Sequence, residues 1–302
     1  MRIENILGIK YPLFQGAMAW ISHSSLVASV SNAGGLGILG GGSLPKEACR
    51  EEIHKIKNLT NKPFALNIML MSPHADDLAE LVIEENIKIV VTGAGNPSKY
   101  MKKWKEHNVI VIPVVASVAL AKRMEKMGAD AVIAEGCEAG GHIGELTTMT
   151  LVPQVVDAVN IPVVAAGGIA DKRGVNAAFA LGAVGVQVGT RFLVAKECPI
   201  SQNYKAEIIK AKDSSSTVTG RITGHPVRVL KNRMTRKIKE IENSSELSLD
   251  EKISKIEEMT MGSFRKAVVD GETDFGSIMS GQIAGLVSKE ETAEEIIKSL
   301  FE

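Results

Sequence analysis

The sequence predicts an α/β fold, a (β/α)8 TIM barrel with a helical insertion after strand 8. Eight short apolar runs start between Pro12 and Val184, roughly 20 to 30 residues apart, which fits one strand, one helix and two short loops each. Most runs are continuously apolar, as parallel strands buried on both faces should be. Helix start and stop signals fall between them, so the chain reads as repeated strand–helix units.

The eight runs give the predicted strands in chain order. They begin near Pro12, Gly35, Pro63, Ile87, Val109, Asp130, Ile161 and Val184. The fifth and sixth runs resemble the seventh and eighth, because IPVVA is followed by GADAV in the first pair and by GAVGV in the second. Such an internal repeat is typical of a structure built from similar units.

Capping residues predict the helices between the strands. Ser72 and Asn96 each precede a proline, which places a capping residue before proline at the first helical position. Ser117 and Asp171 each open a segment that ends at a glycine. The letters GLGILG from Gly35 match the dinucleotide fingerprint, but this run is apolar and follows a helical segment, so we interpret it as a strand.

The pattern changes after the eighth run. Residues 201–280 show no clear strand period and carry long charged helical stretches, which predicts a helical insertion that caps the barrel mouth. Residues 281–300 read as one more helix, the eighth of the barrel. We therefore expect a barrel of residues 1–200 and 281–302, interrupted by an insertion of residues 201–280.

Composition excludes several classes of function. The 35 basic residues balance 35 acidic ones, and aromatics are only 4%, which argues against nucleic-acid binding. Residues 11–45 lack charged side chains, but glycines and polar residues interrupt them, so no membrane span is expected. The three cysteines, Cys49, Cys137 and Cys198, are too few and too dispersed for a disulfide framework or metal site. This usage suggests a reducing, cytoplasmic setting.

Glycines follow the last two predicted strands, at the end of the barrel where active sites lie. Strand seven ends at Gly167 and Gly168, and strand eight at Gly189 and Thr190. Glycines let a phosphate approach the backbone, and free N–H groups favour the anion. The alternative is that these glycines only make tight turns.

A histidine lies in the longest interval, which follows strand six. His142 is framed by glycines in AGGHIG, within an extended loop at the catalytic face, and is therefore a candidate active-site residue. The alternative is a histidine satisfied by backbone in a surface loop. Cys137 in the same loop is expected to serve packing, and His225 in the insertion has no assigned role.

These segments resemble a known family. EAGGHIGELTTMTL, AAGGIAD, VQVGTRF and SGQIAGLVSKEETAEEI, together with YPLFQGAMAW, resemble the flavin-dependent enoyl-acyl-carrier-protein reductase II (FabK) family. That family is part of a superfamily with the nitronate monooxygenases, or 2-nitropropane dioxygenases. The resemblance covers nearly the whole chain; one departure is Cys137, where the family is expected to have Met.

The resemblance implies FMN at the barrel mouth. Its phosphate would be held by Gly167, Gly168, Gly189 and Thr190, with Gln187 and Val188 alongside. The isoalloxazine ring would lie against Ala17 and Met18, with Asn67 on its polar edge and Met279, Gly281 and Gln282 on the other side. Two of these positions have structural alternatives, since Asn67 could cap a strand end and Met18 could be a core residue.

The implied reaction is reduction of trans-2-enoyl-acyl-carrier protein (ACP) to acyl-ACP in fatty-acid elongation, with NADH or NADPH as co-substrate. His142 would bind the thioester carbonyl or supply a proton. The resemblance also implies a homodimer and activation by a monovalent cation. One alternative is a nitronate monooxygenase that uses FMN, O2 and His142 as base; another is a catalytically idle FMN-binding barrel.

A basic stretch in the insertion fits an acidic partner. Seven basic and no acidic residues lie between Arg221 and Lys239. Because acyl carrier proteins are acidic, this stretch could dock the carrier. The alternative is a solvated helix face, or pairing with the acidic residues between Glu240 and Glu251.

Overall fold

A computed structural model describes residues 2–302 and confirms the predicted barrel. Eight parallel strands are hydrogen-bonded in the order β1-β8-β7-β6-β5-β4-β3-β2, and a bridge between Phe14 and Leu36 joins β1 to the start of β2. All eight predicted strands are present. They are β1 (Leu13–Gln15), β2 (Gly37–Gly40), β3 (Phe64–Met69), β4 (Ile89–Gly93), β5 (Ile110–Val115), β6 (Val132–Glu135), β7 (Val163–Ala166) and β8 (Gly185–Val188).

Helices surround the strands and continue beyond them. The first eight are α1 (Ile3–Leu7), α2 (Ser24–Asn32), α3 (Lys46–Leu59), α4 (Ala75–Glu84), α5 (Ser98–Glu106), α6 (Val118–Lys126), α7 (Thr148–Val156) and α8 (Lys172–Ala180). The caps predicted for α6 and α8 are present: Ser117 accepts a hydrogen bond from the N–H of Leu120, and Asp171 accepts one from the N–H of Arg173.

Apolar side chains fill the barrel interior up to its last layer. Phe14, Ile38 and Ile133 belong to one buried cluster inside the strands. Ile3 and Leu7 of α1 join this cluster from the N-terminal end of the barrel. A ligand therefore has room only at the opposite end, where the strands finish.

The last segment is not a single helix, contrary to expectation. A short 3₁₀ turn covers Gln282–Leu286, and α13 begins only at Ala293 and ends at Phe301. A Cβ on Gly285 would lie 2.7 Å from the backbone nitrogen of Asp213, so this turn packs closely against the backbone of the insertion. The prediction of an eighth barrel helix is nevertheless confirmed, because α13 packs against both α2 and α8.

The insertion is also not purely helical. Its helices are α9 (Gln202–Lys210), α10 (Arg233–Asn243), α11 (Leu249–Thr260) and α12 (Ser263–Arg265). Between them lies an antiparallel hairpin, β9 (Ser216–Thr219) and β10 (Val227–Leu230). These four-residue strands are too short for a clear period, and β10 completes its pairing with residues 141–142, far away in the sequence.

Within residues 2–302, no helix is both long and apolar enough to cross a bilayer.

The insertion has a small core of its own, in which Met234 and Ile238 of α10 pack against Ile256 of α11. The division at residues 201 and 280 remains a prediction.

Candidate active site

The last inward-facing layer of the barrel is polar and hollow. Because side chains alternate along a strand, Asn67 of β3, Glu135 of β6 and Gln187 of β8 face inward, above the apolar interior. The neighbouring strand β4 ends in Gly93, whose added Cβ would meet no atom within 4 Å. The carboxyl ends of the strands thus provide a recess bordered by an amide, a carboxyl group and a second amide.

Backbone N–H groups collect after β7 and β8. Gly167 and Gly168 have left-handed φ values of 91° and 74°, which favour glycine. Within residues 2–302, the N–H groups of Gly168, Gly189 and Thr190 donate to no protein acceptor. A Cβ on Gly189 would contact only the sulfur of Met18, at 3.9 Å. Free N–H groups facing open space are suited to an anion such as a phosphate.

Gln187 has an unsatisfied polar atom. Its Oε1 is buried and has no hydrogen-bond partner within residues 2–302. Such an orphaned atom costs roughly 1–3 kcal/mol, which a ligand donor would recover. The side chain of Val188, in contrast, packs in the core outside the strands, so only its backbone is available to a ligand at the mouth. The residues therefore fit a phosphate-bearing cofactor with hydrogen-bonding groups.

The segment after β1 forms one wall of the recess. Ala17 and Met18 are half-buried there, and the N–H of Met18 donates to the hydroxyl of Ser22 at 3.0 Å. Trp20 has a left-handed φ of 63°, which is uncommon for a large side chain and marks a conformation fixed by its surroundings. Asn67 is half-buried too, and its amide makes only a long contact of 3.4 Å with the carbonyl of Val91.

The tail residues form the opposite wall. Gly281 donates its N–H to the hydroxyl of Thr190 at 2.9 Å, and the N–H of Gln282 donates to the carbonyl of Glu138 at 2.9 Å. A Cβ on Gly140 would lie 2.6 Å from the carbonyl carbon of Ser280. The loop after β6 and the tail therefore pack backbone against backbone, and the structure brings the two predicted site segments together.

His142 is held by the insertion. Gly141 and His142 form a short strand that pairs with β10, with Val227 opposite His142. Val229, two residues further along β10, forms a bridge with Met279. His142, Met279 and His225 all line a cavity of about 300 Å³ between the loop and the insertion. His142 keeps contact with solvent, but partial desolvation by the surrounding loop and insertion lowers its pKa, and the nearby imidazole of His225 lowers it further, so the ring is mostly neutral at pH 7.

None of the predicted site residues lines a second cavity in residues 2–302. A larger open groove of about 760 Å³ lies along α2 and α13, away from the strand ends. Among residues 2–302, no three His, Cys, Asp or Glu side chains are grouped as a metal site.

Two glutamates near the mouth had no role in the sequence-based prediction. The carboxylate of Glu138 accepts hydrogen bonds from the N–H of Thr148 at 2.9 Å and from its hydroxyl at 3.1 Å. That hydroxyl also lies 2.9 Å from the carbonyl oxygen of Gly167 and has one proton to share between the two acceptors, so Thr148 links Glu138 of the His142 loop to the glycines after β7. Glu135 faces the recess, and burial raises its pKa to about 7. The sequence signal that could have identified both residues is the pair of acidic side chains around Gly136, in the loop after β6.

Replacement of Glu135 by Gln should stabilise the ligand-free protein at high pH. The folded-state pKa of about 7 exceeds the unfolded value of 4.5, so stability falls as the pH rises between these values. At pH 8 the variant avoids a desolvated charge worth roughly 2–3 kcal/mol, whereas near pH 4 the two proteins should be alike. Urea unfolding across this range measures the difference. The exposed Glu106→Gln variant is the control, and a pH-independent difference for Glu135→Gln would contradict the assignment.

Comparison with known proteins identifies relatives over the full chain. The profile of the nitronate monooxygenase family matches residues 1–302. The solved structure of FabK from Thermotoga maritima superimposes with a TM-score of 0.94 and 49% identity, covering 99% of this chain and 94% of that one. A probable nitronate monooxygenase from Staphylococcus saprophyticus is 38% identical over 80% of this chain and 81% of its own. A (3aS,4S,5R,7aS)-5-hydroxy-7a-methyl-1-oxo-octahydro-1H-indene-4-carboxyl-CoA dehydrogenase from Mycobacterium tuberculosis is 32% identical, over 99% of this chain and 94% of its own.

Proposed function

The chain belongs to the nitronate monooxygenase family of oxidoreductases, and we propose that it reduces trans-2-enoyl-ACP to acyl-ACP with FMN and NADH or NADPH. The observation that carries the proposal is the 49% identity with FabK from Thermotoga maritima over 99% of this chain. The relative named as a carboxyl-CoA dehydrogenase supports thioester chemistry within this family.

The recess at the strand ends supports FMN as the cofactor. The free N–H groups of Gly168, Gly189 and Thr190 would hold its phosphate, and Gln187 and Asn67 would hydrogen-bond its polar atoms. Bound FMN would supply hydride transfer between the nicotinamide and the β-carbon of the enoyl thioester. The walls formed by Met18 and by Gly281 would exclude water from that reaction.

His142 would act on the thioester side of the recess. A lowered pKa leaves its ring neutral at pH 7, so an N–H of the imidazole can donate a hydrogen bond to the thioester carbonyl. This donor would polarise the carbonyl and stabilise negative charge that develops at its oxygen, while the α-carbon receives a proton. A neutral imidazole is a weak acid, which favours orientation and polarisation over direct proton donation by His142.

Steady-state turnover tests the proposal. The purified protein should be yellow, and NADH or NADPH oxidation should require crotonyl-CoA or crotonyl-ACP. Nicotinamide oxidation that does not depend on the enoyl substrate would contradict the proposed reaction.

A nitronate monooxygenase is the second candidate. The family profile and the 38% identical relative from Staphylococcus saprophyticus favour it, and His142 would then be the base. Oxygen uptake with propyl-2-nitronate, in the absence of nicotinamide oxidation, distinguishes this activity. A yellow protein with neither activity would leave the third possibility, an FMN-binding barrel without catalysis.

The structure narrows the surface that could dock an acyl carrier protein. Arg221 pairs with Glu145 at 2.7 Å, Arg233 lies 3.6 Å from Asp274, and Arg228 is buried. These arginines therefore do not pair with the acidic residues that follow Lys239. Three basic residues on α10 are exposed and unpaired within residues 2–302, namely Arg236, Lys237 and Lys239.

Charge reversal on α10 should weaken turnover of the carrier-bound substrate selectively. In an Arg236→Glu/Lys239→Glu variant we expect kcat/KM for crotonyl-ACP to fall roughly tenfold, because steering of an acidic partner is lost. The value for crotonyl-CoA should change little. The wild-type carrier reaction should also lose more with rising ionic strength than the CoA reaction. Lys102→Glu/Lys103→Glu on α5 is the matched control, and equal losses with both substrates would show that α10 does not dock the carrier.

A further inference from the structure

The cavity beside His142 continues into the insertion. It has a volume of about 300 Å³, at the lower end of the range for small-molecule sites. One end is lined by His142 and Met279, the residues at the proposed catalytic recess. The other walls come from β10, α11 and α12, so the cavity leads away from the barrel mouth into the insertion.

The walls of this cavity are largely apolar for a geometric reason. Val227 and Val229 are two residues apart on β10 and therefore project to the same face. Arg228 between them projects to the other face, where it donates a hydrogen bond to the carbonyl of Cys137. Ile256 of α11 and Phe264 of α12 complete the apolar lining.

Polar side chains also border the cavity, although apolar atoms make up most of its surface. The titratable side chains that line it are His142, His225 and Glu257, and hydroxyl groups come from threonines and serines. Lysine and arginine do not line it. A ligand group with a negative charge would thus find no cation there, whereas an uncharged alkyl group would bury apolar surface against the valines, Ile256 and Phe264.

We propose that this cavity holds the alkyl chain of the substrate, and that Phe264 and Thr260 limit the chain length. The inference rests on the proposed function, because the thioester carbonyl must lie at His142 for the chain to continue past Met279. The cavity begins beside that carbonyl site, since His142 and Met279 both line it and both lie along one edge of β10, opposite Val227 and Val229. A short nitronate would not need this extension.

Two variants with opposite expected effects test the chain-length assignment. Phe264→Ala enlarges the cavity and should raise the ratio of kcat/KM for trans-2-decenoyl-CoA over crotonyl-CoA by roughly tenfold. Thr260→Leu fills the cavity from the end of α11 without removing any core side chain, and should lower that ratio by a similar factor. Leu249→Ala, on the exposed side of α11, is the control and should leave the ratio unchanged.

Calorimetric binding of saturated acyl-CoA to the oxidised holoenzyme separates this inference from the proposed reaction. The affinity ratio of decanoyl-CoA to butyryl-CoA should move in the same directions as the turnover ratio. If both ratios stay constant in Phe264→Ala and Thr260→Leu, or if acyl-CoA does not bind, the assignment is overturned. If the affinity ratios shift but no enoyl-dependent oxidation occurs, the cavity assignment stands and the proposed reaction fails.

Discussion

The Gly189→Val variant is expected to fold normally and to lose FMN. Gly189 has an ordinary φ of −108°, and an added Cβ would meet only the sulfur of Met18 at 3.9 Å. The protein alone therefore tolerates a side chain at this position. Because the N–H groups of Gly189 itself and of the adjacent Thr190 are free, a branched side chain here is expected to crowd the phosphate that we place at them.

The size of the loss follows from the phosphate contacts. Each charge-assisted hydrogen bond contributes roughly 1.5–3 kcal/mol, so two such bonds correspond to at least a 100-fold preference for FMN over riboflavin. We expect wild-type apoprotein to show this preference, and Gly189→Val to bind both flavins with similarly low affinity. Quenching of flavin fluorescence measures the affinities, and urea unfolding verifies the fold. Equal affinity of wild type for FMN and riboflavin would refute the phosphate site.

The barrel was predictable because its signals are local. Runs such as VIVIPVV around Ile112 are apolar on both faces, and a capping residue such as Ser117 follows within the same short stretch of chain. Each strand–helix unit can therefore be recognised without knowledge of its neighbours. The glycines after β7 were informative for a related reason, since glycine is the residue type that readily adopts the positive φ values found at Gly167 and Gly168.

The insertion hairpin was not predictable, because its pairing is long-range. The segment VRVL at Val227–Leu230 is four residues long, and its edge is completed by His142 and Met279 from other parts of the chain. A similar limit applies to the tail, where the turn at Gly285 packs closely against the distant backbone of Asp213. Such contacts between distant segments leave no periodic pattern in the sequence.

The protonation states and unsatisfied polar atoms of the candidate site also could not be predicted from the sequence. His142 was identified from its glycine-rich loop, but its lowered pKa depends on burial and on His225, which reaches it through the hairpin. The raised pKa of Glu135 and the unsatisfied oxygen of Gln187 depend in the same way on burial in the finished barrel. Residue type suggests a role, whereas protonation state is set by the tertiary environment.

His142→Ala is expected to retain FMN and to lose most enoyl reduction. His142 lies on the insertion side, paired with β10, whereas the proposed phosphate contacts come from the strand ends at Gly168 and Gly189. Removal of a group that transfers a proton lowers turnover by about 10²–10⁴-fold, and removal of a hydrogen-bond donor that only orients the thioester lowers it less. The flavin absorbance of the purified variant and kcat with crotonyl-CoA measure the two properties separately.

The neutral state of His142 distinguishes its two possible roles. If the imidazole donates a hydrogen bond, His142→Gln should restore part of the activity, because its amide N–H is also a donor and does not titrate. The wild-type rate should then stay level above the lowered pKa of His142, and that titration should be absent from the His142→Gln profile. If His142 is the proton donor instead, Gln should be as inactive as Ala, and the wild-type rate should fall as the pH rises through this pKa. Wild-type turnover in His142→Ala would exclude both roles, and loss of flavin from it would show that the loop is structural.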